Sequence, residues 1–268
     1  MSPSASLVRP PAVAGLFYPD EPAALRRAVQ ASFDAAAPAH DDAPAPAALI
    51  VPHAGYVYSG PIAASGYRRL RNHGDAIRRV VLLGPSHRVS LEGLAVSGVD
   101  AFATPLGEVA VDAAAREVAC AHPAVHVDEA PHAHEHSLEV QLPFLQSVLG
   151  EFVLLPLAAG HARSGDVADV LARLADGAAT LLVISTDLSH YDPYDVACAR
   201  DRRTASAIVA READDIADRD ACGAYPLRGL LVYARRTGLT VEQLDLRNSG
   251  DTAGDRSRVV GYGSFALN

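Results

Sequence analysis

The 268-residue sequence contains no lysine, so all 23 of its basic residues are arginine, set against 32 Asp and Glu residues. The resulting formal net charge of -9 argues against a nucleic-acid partner and against an anionic membrane surface, because phosphate groups attract basic proteins. We attribute the absence of lysine, together with the abundance of alanine, to genome composition rather than to function.

Cysteine is scarce. The three cysteines, Cys120, Cys198 and Cys222, are an odd set without close pairing, which excludes a disulfide framework and fits a reducing cytoplasm. Long apolar runs are also missing: none is long enough to span a bilayer, and the N-terminus lacks a signal-type apolar segment. We therefore expect a cytoplasmic protein that has no membrane partner.

Apolar residues are plentiful, at 49% of the sequence, and histidine is frequent, with 11 residues. Predicted strands alternate with predicted helices, an arrangement typical of a layered α/β domain. We predict a single domain over residues 1–268, with a central mixed, mostly buried sheet flanked by helices. Residues 1–46 would form an N-terminal segment, a helix and a Pro/Ala-rich connector, and residues 47–268 the α/β core.

Three apolar strands are each followed by a histidine just past the carboxyl end. The strand and histidine pairs are residues 49–51 with His53, residues 80–83 with His87, and residues 181–184 with His190. Open α/β sheets bind their ligands at this edge, and neutral imidazole suits Fe(II), Zn(II) or copper. His53 and His87 are therefore the best metal-ligand candidates as a pair, whereas either one taken alone is better explained as a loop histidine.

His190 has a carboxylate three residues before it, Asp187, in Ser-Thr-Asp-Leu-Ser-His. A nearby carboxylate raises the basicity of an imidazole and fixes its tautomer, as a general base requires. We predict His190 and Asp187 as a catalytic pair; alternatively, Asp187 caps a following turn. Cys222 lies in a Gly-Pro turn, where a thiol can be partly exposed, and its alternative role is that of a small buried hydrophobic residue.

Histidines also cluster in His132-Ala-His-Glu-His-Ser-Leu-Glu139, at the start of a predicted helix for which Ser137 is the candidate N-cap. The spacing differs from the His-Glu-x-x-His pattern of zincin metalloproteases. We interpret His132 and His134 as part of a solvated helix start, and we place His136 near the site.

Two further residues follow the candidate ligands closely in the sequence. Tyr56 comes three residues after His53, and it either lines a pocket or packs in the core. Arg88 comes directly after His87, where its guanidinium would face an anionic ligand.

Six motifs occur in order from near the N-terminus to the last strands. They are Arg9-Pro-Pro-Ala-Val-Ala-Gly-Leu-Phe-Tyr-Pro, Pro52-His-Ala-Gly-Tyr-Val-Tyr-Ser-Gly, Leu83-Gly-Pro-Ser-His, Glu135-His-Ser-Leu-Glu-Val-Gln-Leu-Pro-Phe, Ser185-Thr-Asp-Leu-Ser-His-Tyr and Cys222-Gly-Ala-Tyr-Pro. Together they resemble the Memo family. The resemblance implies a fold similar to that of class III extradiol ring-cleaving dioxygenases, which bind nonheme Fe(II) through two histidines and a glutamate.

By the same resemblance, His53 and His87 correspond to the two histidine ligands, and Cys222 takes the third ligand position. His190, with Asp187 beside it, corresponds to the acid/base histidine. A thiolate in place of a carboxylate favours copper or zinc as well as iron. Memo-like proteins of bacteria and archaea are often encoded beside a radical-SAM protein, which makes such a protein a candidate partner.

The sequence therefore predicts a metal-dependent redox or dioxygenase-like protein that acts on a small-molecule or peptide ligand. Fe(II) or copper is the expected metal, and zinc is an alternative. A second hypothesis is a non-catalytic module that binds a peptide or a protein on a dioxygenase-like fold. A third is a zinc hydrolase, because two histidines and a cysteine also suit zinc.

Overall fold

The computed structural model describes residues 6–38, 43–175, 177 and 179–268. Its strands are β1 Val8–Arg9, β2 Ala48–Val51, β3 Arg79–Pro85, β4 Leu94–Val96, β5 Ala101–Thr104, β6 Gly107–Ala110, β7 Val125–Val127, β8 Val153–Ala159, β9 Thr180–Ser185, β10 His190–Asp192, β11 Val241–Asn248 and β12 Val259–Leu267. Its α-helices are α1 Pro22–Asp34, α2 Tyr56–Tyr67, α3 Ala113–Cys120, α4 Ala130–Ala133, α5 Leu142–Val148, α6 Ser164–Leu174, α7 Tyr194–Ala210 and α8 Ala224–Thr237.

The main sheet has nine strands, in the order β10-β12-β2-β9-β3-β8-β4-β7, with β11 paired to β12. Its four central strands, β2, β9, β3 and β8, are parallel, whereas β12 and β4 run antiparallel to their neighbours β2 and β8. Strands β2, β9 and β3 are adjacent, so their carboxyl ends meet at one edge of the sheet.

The central strands are buried on both faces of the sheet. Because successive side chains of a strand point to opposite faces, each of these strands contributes to two hydrophobic cores. In β3, Val81 and Leu83 pack in the core shared with helices α6 and α8, whereas Val80 and Leu82 pack in the core shared with α1, α2 and α5. This explains why these strands are continuous apolar runs rather than alternating ones. The predicted α/β class, with a mixed sheet flanked by helices, is confirmed.

A second, three-stranded sheet, in the order β1-β5-β6, brings the N-terminal segment onto the domain. Val8 and Arg9 of β1 pair in parallel with Ala101 and Phe102 of β5. This contact places Arg9 close to the functional site described below. Of the predicted Pro/Ala-rich connector, residues 39–42 lie outside the described residues.

Two helices differ from the sequence prediction. The sequence predicts a helix over roughly residues 61–71, after the chain breaks at Gly60. Helix α2 instead begins at Tyr56, with Pro61 inside it, because the burial of its apolar residues outweighs the backbone hydrogen bond that proline removes. The helix expected after Ser137 begins only at Leu142, with Pro143 in its first turn. Ser137 is not its N-cap; the Ser137 hydroxyl instead donates to the carbonyl of Pro85 at 2.9 Å.

Within the described part of the chain, no helix combines the length and the apolar character needed to cross a membrane.

Candidate metal centre

The candidate centre lies at the carboxyl edge of the three adjacent strands. His53 follows β2 by two residues, His87 follows β3 by two, and Asp187 follows β9 by two. His136 comes from the segment between α4 and α5, which crosses this edge. The ring centroids of His53, His87 and His136 lie 4.6 to 5.4 Å from one another.

His53 is 2% exposed, and its tautomer follows from its neighbours. Its Nδ1 lies 2.9 Å from Ser185 Oγ. The Ser185 hydroxyl donates its one proton to the carbonyl of Ser137 at 2.6 Å and accepts a hydrogen bond from the Gln141 amide at 2.7 Å. It must therefore also accept from His53, so the proton of His53 is on Nδ1 and Nε2 carries a lone pair.

His87 is oriented in the same way by Glu135. Its Nδ1 lies 2.8 Å from Glu135 Oε1, and its backbone N–H donates to Glu135 Oε2 at 2.7 Å. Glu135 Oε1 also accepts from the backbone N–H groups of His136 and Ser137, each at 2.9 Å. A carboxylate bound to the far nitrogen of a histidine leaves Nε2 available and increases its basicity, as is usual beside metals.

Burial and hydrogen bonding set the charges of these groups. Burial lowers the pKa of His53 well below its usual value, and the neighbouring His87 and His136 add to this effect. Burial likewise lowers the pKa of His136 to about 4, although Glu135 acts against it. Burial alone would raise the pKa of Glu135, but the hydrogen bonds from His87 and from backbone N–H groups hold it at about 2. At neutral pH the His53 and His136 imidazoles are therefore neutral and Glu135 is ionised.

Among the described residues, His53, His87 and His136 form a group that could hold a metal ion, with one ring nitrogen of each within 4.8 Å of the others. The sequence predicted His53 and His87 as ligands and placed His136 near the site. Neutral imidazoles with free lone pairs are the ligands that zinc, copper, iron and nickel share.

Cys222, the third ligand predicted from the resemblance, lies beside this group. Its Sγ is 3.2 Å from His53 Nε2, and it accepts a hydrogen bond from the backbone N–H of Asp187 at 3.3 Å. Burial raises the pKa of the Cys222 thiol, and the carboxylate of Asp187 raises it further. In the metal-free protein the thiol therefore keeps its proton and donates it to His53 Nε2.

His190 and Asp187 are not joined by the hydrogen bond that the sequence suggested. His190 Nδ1 lies 2.8 Å from the carbonyl of Leu188 and therefore donates to it, which leaves Nε2 with a lone pair. Asp187 instead accepts from the backbone N–H of His53 at 2.7 Å, and burial raises its pKa to about 6. Asp187 thus fixes the loop that carries His53.

The remaining predicted residues lie around the centre. Tyr56 is buried, and its hydroxyl donates to the carbonyl of Val140 at 2.7 Å. Arg88 is exposed and close enough to His136 to lower the pKa of that ring. His134 is exposed, as predicted, but the same prediction was wrong for His132, which is 1% exposed with Nε2 on the carbonyl of Ala95 at 3.0 Å.

Sequence reasoning did not assign roles to Glu135, Gln141 and Ser185. Glu135 directly precedes His136, so its position in the histidine cluster was the available signal. Ser185 and Gln141 lie in recognised motifs, but only the folded chain shows that they bond to each other and that Ser185 bonds to His53.

Fold and site together define an α/β protein with a histidine-rich candidate metal centre at the carboxyl edge of a mixed sheet. Comparison with known proteins identifies the family to which the chain belongs. The sequence profile of the family described as Memo-like protein matches residues 9–266. The chain belongs to the Memo family.

Curated relatives match the chain over almost its whole length. The MEMO1 family protein of Methanothermobacter thermautotrophicus is 35% identical over 274 residues, covering 96% of this chain and 99% of its own. The MEMO1 family protein of Methanopyrus kandleri is 36% identical, with 97% and 98% covered. That of Aquifex aeolicus is 35% identical, with 95% and 97% covered.

A solved structure shares the fold. The uncharacterized protein JW3007 from Escherichia coli K12 superposes with a TM-score of 0.52 at 14% sequence identity, over 81% of this chain and 98% of that one. At this identity the likeness concerns the fold alone.

Proposed function

We propose that this protein binds one redox-active transition-metal ion at His53, His87 and His136 and carries out redox chemistry on a small-molecule or peptide ligand. The observation that carries the proposal is the arrangement of imidazole protons. The Nδ1 protons of His53 and His87 are held by Ser185 and Glu135, so that Nε2 of each ring carries a lone pair near His136. In the metal-free protein the lone pair of His53 accepts the proton of the Cys222 thiol.

The distances fit a metal ion. Nitrogens that share one ion at bonds of about 2.0–2.1 Å lie roughly 3–4 Å apart. The three histidines offer nitrogens within 4.8 Å of one another, so side-chain movements of roughly 1 Å complete the set. Cys222 fits as a further ligand, because an ion bound at about 2.0 Å to nitrogen and about 2.3 Å to sulfur separates the two donors by roughly 3–4 Å. Its Sγ lies 3.2 Å from His53 Nε2.

The donor set favours copper over the other candidates. Fe(II) enzymes commonly combine two histidines with a carboxylate, but both nearby carboxylates, Glu135 and Asp187, are engaged by hydrogen bonds to the chain. Imidazoles with an adjacent thiol suit copper, with zinc and iron as alternatives. When bound, a copper or iron ion would supply one-electron chemistry.

His190 would move protons in this site. Its Nδ1–H is fixed by the carbonyl of Leu188, so that Nε2 is the atom that accepts a proton from a bound ligand. A positive charge on His190 lowers the pKa of both His53 and Asp187.

The test is metal analysis of protein purified without chelators and then loaded separately with copper, iron or zinc. We expect close to one ion per chain in the wild type and a large loss in the His53→Ala, His87→Ala double variant. A His126→Ala, His134→Ala double variant is the matched control, because both of these histidines are exposed. Wild-type protein with no more metal than the His53→Ala, His87→Ala variant would contradict the proposal.

The chemistry is tested separately by oxygen consumption of the metal-loaded protein in the presence of candidate reductants. Turnover that requires copper or iron and falls in His190→Gln supports redox function. Turnover with zinc alone on a hydrolysable substrate would instead favour the hydrolase. Ligand binding without any turnover would favour a binding module, for which the exposed Arg88, next to His87 in the sequence, is the supporting feature.

A further inference from the structure

Arg9 lies in the N-terminal strand β1, and its guanidinium contacts the backbone of the segment that carries His136. It is 5% exposed. Its Nε donates to the carbonyl of His132 at 2.8 Å, and its Nη2 donates to the carbonyl of Glu135 at 2.7 Å. The planar guanidinium therefore holds two carbonyls of the turn that ends immediately before His136.

Glu139 is the ionic partner of this arginine. Its carboxylate is fully buried and lies 2.6 Å from Arg9 Nη1. It also accepts from the backbone N–H groups of Ala12 and Val13, at 2.7 and 3.0 Å, and from the Tyr18 hydroxyl at 2.6 Å. A buried ion pair persists only when its remaining hydrogen-bonding groups are also satisfied, and this one meets that condition.

The held segment has little regular structure of its own. Helix α4 ends at Ala133, and the next helical turn, Glu139–Gln141, begins three residues after His136. Within this segment Glu135 binds His87 through its side chain, while His136 faces the other two histidines. Displacement of the segment would therefore move one candidate ligand directly and release the hydrogen bond that orients a second.

We propose that Arg9, supported by Glu139, is a positioning residue of the metal centre. Through Arg9, the N-terminal strand holds His136 in position. This inference rests on the proposed metal-binding function. Neither residue contacts the candidate ligand nitrogens; Arg9 acts through the carbonyls of His132 and Glu135.

The test uses Arg9→Lys, which keeps a positive charge for Glu139 but cannot hold both carbonyls. Arg69→Lys is the matched control, because Arg69 is also buried and pairs with a single carboxylate, Glu242, at 2.6 Å. Metal affinity is measured by calorimetric titration in the wild-type and His136→Ala backgrounds. We expect Arg9→Lys to weaken binding roughly tenfold or more in the wild type and several-fold less in the His136→Ala background.

A purely structural role would give the same loss in both backgrounds, and that result, or equal losses in Arg9→Lys and Arg69→Lys, would overturn the inference. A metal-independent measurement separates it from the proposed function. The ¹⁵N and ¹H resonances of the His136 ring in metal-free protein are expected to shift in Arg9→Lys and to stay in place in Arg69→Lys. If the wild type binds no metal, the proposed function fails, and unchanged His136 resonances would then also refute the positioning role of Arg9.

Discussion

At the scale of single residues, the centre depends on groups that fix the protons of its histidines. Ser185 and Glu135 each hold an Nδ1 proton, so the ligand nitrogen of His53 and of His87 is determined before any ion arrives. The strand-end positions of His53, His87 and His190 were predictable from the sequence, because a short apolar run that ends in a histidine is a local pattern. The tautomers were not predictable, because the partner of His53 lies 132 residues away in the sequence.

Glu135→Gln is expected to weaken metal binding by about 10- to 100-fold, as is typical when the partner of a metal-bound histidine is changed. The glutamine amide cannot accept all the N–H groups that the carboxylate now accepts, and it supplies no negative charge to His87. The measurement is competition with a chromophoric chelator.

Glu129→Gln is the control for that prediction. Glu129 also accepts hydrogen bonds, from the hydroxyl of Ser97 and the backbone N–H of Gly98, but it has no contact with the three histidines. Equal affinities for the two variants would show that Glu135 has no special part in orienting His87.

At the scale of elements, most strands and helices follow from periodicity, whereas helix boundaries depend on packing. The sequence predicts a strand over residues 94–96 and a helix over residues 113–121, and the structure has β4 at Leu94–Val96 and α3 at Ala113–Cys120. The short strands β1, β7 and β10 were not predicted, because two or three residues carry no measurable period and are fixed by their partners. Packing also decides where glycine is required, as in the contact between α6 and α8.

Gly229→Ala is expected to destabilise the protein by about 1–3 kcal/mol through overpacking. A Cβ atom at Gly229 of α8 would lie 2.2 Å from Val167 Cγ1 of α6, so one of the two helices must shift. Urea unfolding monitored by circular dichroism measures the change.

Gly165→Ala in α6 is the matched helical control, because a Cβ atom there meets only the flexible end of Arg236 at 4.0 Å. It is expected to leave stability unchanged or to raise it by up to about 1 kcal/mol. A Gly229→Ala protein as stable as Gly165→Ala would contradict the close packing of α6 on α8.

At the scale of the whole molecule, one mixed sheet buried on both faces brings together residues from the first and last quarters of the chain. Family membership could be predicted from six ordered motifs and is confirmed by relatives that match over nearly the full length. The predicted division into a segment of 1–46 and a core of 47–268 stays a prediction. Because several histidines are buried in this fold, the free energy of unfolding of the protein depends on pH.

Metal-free protein is expected to lose stability as the pH falls below about 6.5. The pKa values of His53, His132 and His136 are all lowered by burial, so the unfolded chain binds protons that the folded chain excludes. Stability is therefore fully present above the unfolded pKa and declines below it, by up to about 1.4 kcal/mol per pH unit for each histidine. Asp187 and Asp201, whose pKa values are raised, act in the opposite direction but are fewer.

Urea unfolding in the presence of a chelator at pH 7.5, 6.5 and 5.5 measures this dependence. His132→Gln is expected to reduce the slope, because His132 is buried with no hydrogen-bond partner for Nδ1 in the described part of the chain. Exposed His134→Gln is the control and is expected to change the slope less. Stability that is constant over this range would contradict the burial of the three histidines.

The sequence by itself determined the α/β class, the strand-end positions of His53, His87 and His190, and the family, because apolar runs and motifs are properties of neighbouring residues. Only the tertiary structure decided that His136 joins His53 and His87, that Cys222 lies against His53, and that His132 is buried. The physical reason is that these outcomes depend on contacts between distant segments. Arg9 and Glu139, 130 residues apart, form a buried ion pair beside the segment that carries His136, and no local pattern in the sequence specifies that contact.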